Sequence, residues 1–169
     1  MSTNSSPLDL PQAALLWQRV PFAWLRNPLL WLWVSPGTLL GLIAGGLTLI
    51  SGGRMFRHRH TLEVCGGFAA WYLRRIARAQ AMTLGHVILG RTQADLERTR
   101  YHEWVHVRQY ERWGPLFVPA YLLSSGWLWL RGRNCYLDNP FEVEAFAAEE
   151  EHRRQSLVAA PTGTSGGKT

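Results

Sequence analysis

The longest uncharged stretch of the chain covers residues 29–50 and reads LLWLWVSPGTLLGLIAGGLTLI. A helix of this length would extend about 33 Å, which is enough to cross the hydrocarbon core of a bilayer. Trp31 and Trp33 lie near one end, where interfacial indoles are common, and membrane helices tolerate glycine. A chain of 169 residues has little core in which to bury such a run. The run therefore predicts a transmembrane helix or a membrane hairpin, and the alternative is a buried core hairpin broken at residues 35–37.

The distribution of charge predicts how a membrane-anchored chain would be oriented. The net charge is +6; Arg19 and Arg26 precede the uncharged run, and six arginines lie between Gly52 and Gln80. Arginine-rich flanks stay on the cytoplasmic side of a membrane and attract anionic lipid. We therefore expect membrane lipid as a partner and a C-terminal domain that faces the cytoplasm.

Several other features exclude classes of function. Cys65 and Cys135 have no paired spacing, so neither a disulfide framework nor a thiolate metal site is expected. No nucleic-acid-binding motif is visible, and arginines beside an apolar segment, such as Arg74, are more typical of membrane topology. The first twelve residues lack the pattern of a cleavable export signal. We expect four regions: an N-terminal segment 1–28, the membrane segment 29–50, a folded domain 51–154 and a disordered tail 155–169.

The remainder of the chain alternates strand and helix patterns, which predicts an α+β domain. Residues 60–65 alternate like a strand, 68–80 resemble an amphipathic helix, and the apolar segment 82–90 is typical of one strand. Residues 92–113 have stronger helical signals. Thr92 and Asp95 have the spacing of a capping box, and Gly114 followed by Pro115 predicts the end of the helix.

This helix contains the segment HEWVH at residues 102–106. Residues four apart lie on one helix face, so His102 and His106 can direct both imidazoles at one metal ion. Glu103 projects beside them, within reach of a metal-bound water. The pattern predicts a Zn²⁺ site in which His102 and His106 are ligands and Glu103 is the catalytic general base.

A catalytic zinc normally has three protein ligands, and the downstream candidates are Glu142, Glu144 and His152. A HExxH helix followed by a glutamate in an ExxA context resembles the gluzincin metallopeptidases. That resemblance implies that the ligand stands three residues before Ala145, which selects Glu142 and leaves Glu144 as the second choice. Residues 139–142 also suit a helix start, in which Glu142 would instead occupy the N3 position of a capping box.

The resemblance also implies a minimal zincin-like fold of short strands, the HExxH helix, a connecting apolar helix and a helix that carries the glutamate. The stretches YHEWVHVRQYERWGPLFVPAYLL and YLDNPFEVEAF also resemble a group of small bacterial membrane-associated proteins. This resemblance covers most of residues 60–148 and implies the bacterial inner (cytoplasmic) membrane as the location. One position departs from the gluzincin pattern: Phe146 stands where an aspartate or asparagine usually orients a ligand histidine. Asp138, Asn139 or Gln109 are possible replacements. Arg133 and Tyr136 are candidates for stabilising an oxyanion, and either can instead be a surface residue.

A second uncharged run at residues 113–130 tests the zinc hypothesis. If this run crossed the bilayer, His106 and Glu142 would lie on opposite sides, about 30 Å apart. The hypothesis therefore requires a buried core helix or a helix at the membrane interface, to which Tyr121, Trp127 and Trp129 are suited.

Two functions from different classes follow. The first is a membrane-anchored zinc-dependent metallohydrolase, a peptidase whose protein or peptide substrate the sequence does not identify. The second is a non-catalytic membrane-associated scaffold, binding lipid or protein, with a structural or vestigial metal site. The unusual residue Phe146 and the lack of an evident oxyanion donor favour the second.

Overall fold

The computed structural model describes residues 28–159, and the side chains of residues 33–158. It has a mixed α+β architecture. The elements, in chain order, are α1 (Pro28–Ile50), β1 (Arg54–His58), β2 (Thr61–Cys65), α2 (Gly67–Tyr72), β3 (Ala81–Leu84), β4 (Val87–Gly90), α3 (Gln93–Trp113), α4 (Phe117–Leu130) and α5 (Pro140–Ala159). A π-helical turn, Leu73–Ala77, extends α2, and a 3-10 turn, Gly114–Leu116, joins α3 to α4. The predicted N-terminal segment lies outside the described residues, apart from its last residue, Pro28.

The four strands form one sheet in the order β1-β2-β4-β3. Strands β2 and β4 are parallel, and the two outer pairings are antiparallel. The strand predicted at 60–65 is confirmed as β2, but the single strand predicted at 82–90 is wrong, because this segment is the hairpin β3–β4. Gly85 makes the turn with a φ of 61°. A Cβ at Gly85 would collide with the backbone of Thr38 in α1. Glycine is therefore required both for the positive φ and for the close contact with α1.

Helix α1 is continuous through Pro36, so no hairpin forms at residues 35–37. It is apolar enough to cross a membrane. One side of the helix is a stripe of mostly small residues that packs against the rest of the fold: Val34, Gly37, Gly41, Gly45 and Thr48. A Cβ at Gly41 would collide with Val87 and with the carbonyl oxygen of Leu84. The absence of side chains at these glycines therefore allows α1 to lie closely on the β3–β4 hairpin.

Helix α3 begins and ends close to the predicted positions. Thr92 caps it, because the Thr92 hydroxyl accepts a hydrogen bond from the Asp95 backbone N–H at 3.1 Å. Gly114 follows the last residue with a φ of 54° and packs against the Trp33 indole. The buried side of α3 carries His102, His106 and Gln109 towards α4 and α5.

Helix α4 has 14 residues and would be about 21 Å long, which is too short to cross a bilayer as a single helix. Its inward residues include Phe117 and Leu128. The loop after α4 returns the chain to the same region, where Asn139 caps α5. The Asn139 side-chain oxygen accepts from the Phe141 N–H at 3.1 Å, while its amide nitrogen donates to the Tyr121 carbonyl at 3.1 Å. Helices α4 and α5 are therefore tied together at the position where α5 begins.

Helix α5 continues through residues 155–159, which the sequence analysis assigned to the tail. The described part of α5 therefore includes the first five residues of the predicted tail. The rest of the predicted tail, residues 160–169, lies outside the described residues. The helix predicted at 68–80 is formed over residues 67–77, and Arg78 ends it in the left-handed conformation with a φ of 53°.

Candidate metal centre

Three side chains from two helices converge in the interior of the protein. His102 Nε2 lies 3.2 Å from His106 Nε2 and 3.1 Å from Glu142 Oε2. His106 Nε2 lies 3.5 Å from Glu142 Oε1. Ligand atoms in a tetrahedral zinc site, at about 2.0–2.1 Å from the ion, are about 3.3 Å apart. Each carboxylate oxygen of Glu142 therefore lies near one of the two ring nitrogens, at about the spacing of neighbouring ligand atoms around one ion, and the buried cluster can hold a metal ion.

Local structure explains why these side chains meet. His102 and His106 are one helical turn apart on the buried side of α3. Glu142 lies in the first turn of α5, whose start is positioned by the Asn139 cap. The alternative capping role of Glu142 is not formed, because the Asn139 backbone N–H donates to the Tyr136 carbonyl oxygen at 3.1 Å. The Glu142 carboxylate is directed at the two histidines instead.

The outer ring nitrogens of both histidines have oxygen partners. His106 Nδ1 lies 2.8 Å from Gln109 Oε1, and His102 Nδ1 lies 3.3 Å from Glu149 Oε2. Because an oxygen at Nδ1 favours a proton there, the Nε2 lone pairs remain available to a metal. Gln109 was one of the predicted replacements for the partner missing at Phe146. Phe146 itself packs on the His102 ring, with 4.7 Å between the ring centroids.

Asp138 and Asn139, the other predicted replacements, have different roles. Asp138 accepts from Arg133 and from the Asn134 backbone N–H, and Asn139 caps α5. Glu149 was not predicted from the sequence. The signal that could have identified it is its position seven residues after Glu142, two turns along the same face of α5.

Glu103 is buried next to the cluster. The Thr83 hydroxyl of strand β3 donates to Glu103 Oε2 at 2.7 Å. Burial raises the pKa of the Glu103 carboxyl, and the opposing effects of His106 and the Thr83 hydrogen bond are smaller. A carboxyl with a raised pKa exchanges protons closer to neutral pH, which suits a general base. Thr83 was not predicted, because sequence spacing gives no link between an edge strand and α3.

The pKa values of Glu142 and His106 are shifted in opposite directions by their shared surroundings. Burial on its own would raise the pKa of Glu142, but hydrogen bonds with His102, His106 and Tyr121 outweigh it and lower that pKa to about 2. Burial would lower the pKa of His106, but the carboxylates of Glu142 and Glu103 outweigh it and raise that pKa. The cluster therefore carries negative charge that attracts a cation, either a proton on His106 or a metal ion.

Two tyrosines flank the Glu142 carboxylate. The Tyr121 hydroxyl donates to Glu142 Oε1 at 2.7 Å, which holds the carboxylate in place. Tyr136 lies at the more exposed edge of the cluster, where its ring meets Phe146 edge-on. Burial and the Glu142 charge raise the pKa of both hydroxyls, so both are neutral donors at physiological pH. Tyr136 was a predicted candidate donor, whereas Tyr121 was predicted only as a residue of the membrane interface.

Other sequence candidates lie away from the cluster. Glu144, the second choice for the third ligand, has a side chain that is 44% exposed and pairs with Arg112 at 2.7 Å and with Gln109 at 2.9 Å. His152 stacks on Tyr101, with 4.0 Å between ring centroids. Arg133 is exposed and forms an ion pair with Asp138 at 3.0 Å. None of these three groups is part of the His102, His106 and Glu142 cluster.

Comparison with known proteins does not identify a family or a function for this cluster. The chain matches no known family model, no curated protein and no solved structure.

Proposed function

We propose that this protein is a zinc-dependent metallohydrolase of the gluzincin type, acting as a peptidase at a bacterial inner membrane. The observation that carries the proposal is the buried cluster of His102, His106 and Glu142, in which the two Nε2 atoms and the nearest carboxylate oxygens lie 3.1–3.5 Å apart, about the spacing of ligand atoms around a tetrahedral ion. Two imidazoles and one carboxylate form a common ligand set of catalytic zinc, in which water takes the fourth position. The order of strands, HExxH helix, apolar helix and glutamate-bearing helix is also the order that the gluzincin resemblance implies.

The chain's own residues divide the chemistry between them. A bound zinc ion supplies a Lewis acid that polarises the scissile carbonyl and makes a water acidic. Glu103 accepts the proton of the attacking water and returns it to the leaving amine, and Thr83 holds its carboxylate by one oxygen. Tyr136, at the exposed edge of the cluster, is placed to donate to the developing oxyanion. Tyr121 holds Glu142 in its ligand orientation.

Replacing Glu103 by Gln tests the catalytic assignment. We expect Glu103→Gln to retain bound zinc. Its rate of hydrolysis of an unfolded test protein should fall by at least about a hundredfold. The matched control is Glu97→Gln, an exposed position on the same helix. Metal content by mass spectrometry and peptide release should be measured on the same samples. Full hydrolysis by Glu103→Gln would exclude Glu103 as the base, and absence of metal from the wild-type chain would exclude the zinc site.

A non-catalytic scaffold with a structural metal is the second candidate. The observation that favours it is burial, because His102, His106 and Glu142 are only 3–8% exposed. A structural site is closed, whereas a catalytic site keeps one exchangeable position. Cobalt substitution distinguishes the two. A visible spectrum that changes on addition of a small hydroxamate indicates an open position, and an unchanged spectrum favours the scaffold.

A further inference from the structure

The orientation of α1 at a membrane can be inferred from its contacts. The helix contacts the domain along most of its length. Near its start, Val34 packs with Tyr110 and Phe117. Near its end, the Thr48 hydroxyl accepts from the Ala69 backbone N–H at 3.2 Å. A free membrane-crossing anchor would instead have lipid on all sides.

The middle of α1 lies beside ionisable side chains. Thr38, one residue from the midpoint of Pro28–Ile50, lies 3.3 Å from His86 Nδ1 and accepts from the His86 backbone N–H at 3.2 Å. His86 Nε2 in turn lies 3.3 Å from Glu111 Oε1. The His60 ring is 6.4 Å from the His86 ring, and the charged side chains of Glu111 and Arg108 lie near His60. If α1 crossed a bilayer perpendicularly, this group would lie near the midplane, where ionisable side chains are strongly disfavoured.

The two sides of α1 differ in a way that fits a helix lying on its side. The side towards the domain is the stripe of mostly small residues, whereas the outward side carries exposed large aliphatic residues without any charge: Leu39, Leu40, Leu42, Ile43, Leu47, Leu49 and Ile50. An outward face of this kind is covered by lipid or by another apolar surface.

Helix α4 presents a second exposed apolar face. The start of α1 packs against the start of α4 and the turn before it, with Trp33 against Gly114 and Val34 in one apolar cluster with Phe117. The outward residues of α4 are apolar along its whole length: Val118, Pro119, Leu122, Leu123, Gly126, Trp127, Trp129 and Leu130. No charged residue occurs between Arg112 and Arg131. A water-exposed helix would carry polar residues on this side.

Charge decides what covers these faces. The Arg131 guanidinium lies over the Trp127 ring, 4.5 Å from its centroid, at the end of α4. Indoles next to arginines are typical of the headgroup region, where arginine meets lipid phosphate. The chain has a net charge of +6, which attracts an anionic bilayer and opposes association with a second copy of itself.

We propose that α1 does not cross the membrane in this fold but lies in the surface of an anionic phospholipid bilayer, with α4 in contact with the same surface. The domain is then held on one side of the membrane by two apolar faces. This orientation does not depend on metal binding. It places the metal centre, one wall of which is the inward side of α4, directly at the bilayer surface.

Cysteine labelling in bacterial membranes tests the orientation. The native Cys135 reports the side of the domain, and Ser5→Cys combined with Cys135→Ser reports the side of the segment before α1. Cys65 is buried and stays in both proteins. A membrane-impermeant maleimide should label both reporters from the cytoplasmic side, in inverted vesicles, and neither in intact spheroplasts. Labelling of the two reporters from opposite sides would overturn the proposal.

A fluorescent label on α4 tests its contact with lipid. Leu123 is 74% exposed on α4, and Val158, 87% exposed near the end of α5, is the matched control. With Cys135→Ser present in both proteins, an environment-sensitive dye on Leu123→Cys should shift its emission to the blue when mixed vesicles of phosphatidylethanolamine and phosphatidylglycerol are added, and the dye on Val158→Cys should not. No shift at position 123 would overturn the proposal, and so would a shift that depends on protein concentration without vesicles, because a second copy would then cover α4. Zinc content should be measured on the same samples. It tests the proposed metal centre separately, because the dye emission reports only the contact of α4 with lipid.

Discussion

The side-chain oxygen of Gln109 lies 2.8 Å from His106 Nδ1, and this contact is fixed from the other end of the same amide. Gln109 Nε2 donates to the Phe141 carbonyl oxygen at 3.0 Å and to Glu144 Oε2 at 2.9 Å. Because both amide hydrogens are used, the amide cannot flip without losing two hydrogen bonds. His106 Nδ1 therefore faces an oxygen acceptor, which favours the ring proton on Nδ1 and leaves the Nε2 lone pair free to bind a metal.

Removing this acceptor should weaken metal binding. We expect Gln109→Ala to lower zinc affinity by about ten- to a hundredfold, because His106 loses the partner that sets its orientation and proton position. Competition with a chromophoric chelator measures the affinity. Gln93→Ala, at an exposed position in the first turn of the same helix, should leave it unchanged. Equal affinity of the Gln109→Ala and wild-type proteins would show that the Gln109 contact does not support metal binding by His106.

Glu149 should act on the other histidine in the same way. It lies 3.3 Å from His102 Nδ1, so Glu149→Ala should lower zinc affinity by about ten- to a hundredfold. Glu149→Gln retains an acceptor oxygen and should recover most of the loss. The neighbouring Glu150 pairs with Arg153 and Arg154 on the surface, which makes Glu150→Ala the control. If the Glu150→Ala variant lost as much affinity as Glu149→Ala, general charge near α5 would explain the effect.

Substitution of Glu142 and of Glu144, the two candidates for the third ligand, should have different effects on zinc binding. Glu142→Gln should abolish stoichiometric zinc binding, because it removes the anionic ligand that lies between His102 and His106. Glu144→Gln should retain the metal, since Glu144 pairs with Arg112 outside the cluster. Metal content after exhaustive dialysis distinguishes the variants. Retention by Glu142→Gln together with loss by Glu144→Gln would reverse the assignment of the third ligand.

The sequence was sufficient to predict those parts of the site that depend on local spacing. His102, His106 and Glu103 share one turn of a helix whose cap and stop are local signals, so their relation follows from helix geometry. Glu142 was selected by resemblance rather than by spacing. Tyr121, Thr83 and Glu149 reach the site only through the packing of α4, β3 and α5, and no periodicity in the chain encodes those contacts.

The same limit applies to the fold. The segment 82–90 is almost uniformly apolar, so its pattern did not distinguish one strand from the two strands of a hairpin. The run 29–50 was predicted to be helical from its length and composition, and it forms α1. Its buried stripe was not predicted, because the role of Gly37 and Gly41 depends on Tyr110 and Val87, which lie far along the chain.

Two glycines of α1 provide a matched test of that packing. A Cβ at Gly41 would collide with Val87 and with the Leu84 carbonyl oxygen, whereas a Cβ at Gly46 would meet nothing within 4 Å. We expect Gly41→Leu to lower the free energy of unfolding by about 1–3 kcal/mol, because α1 must move away from the β3–β4 hairpin. Gly46→Leu should be neutral or stabilising by up to about 1 kcal/mol, because leucine favours a helix more than glycine does.

Denaturant unfolding in mild detergent, followed by tryptophan fluorescence, compares the two variants. Both substitutions add the same apolar side chain to the same helix, so a change in detergent or lipid affinity affects both. A difference in stability therefore reports the contact between α1 and the domain. Equal stability of Gly41→Leu and Gly46→Leu would show that α1 is detached from the hairpin, which is the arrangement that a freely crossing anchor requires.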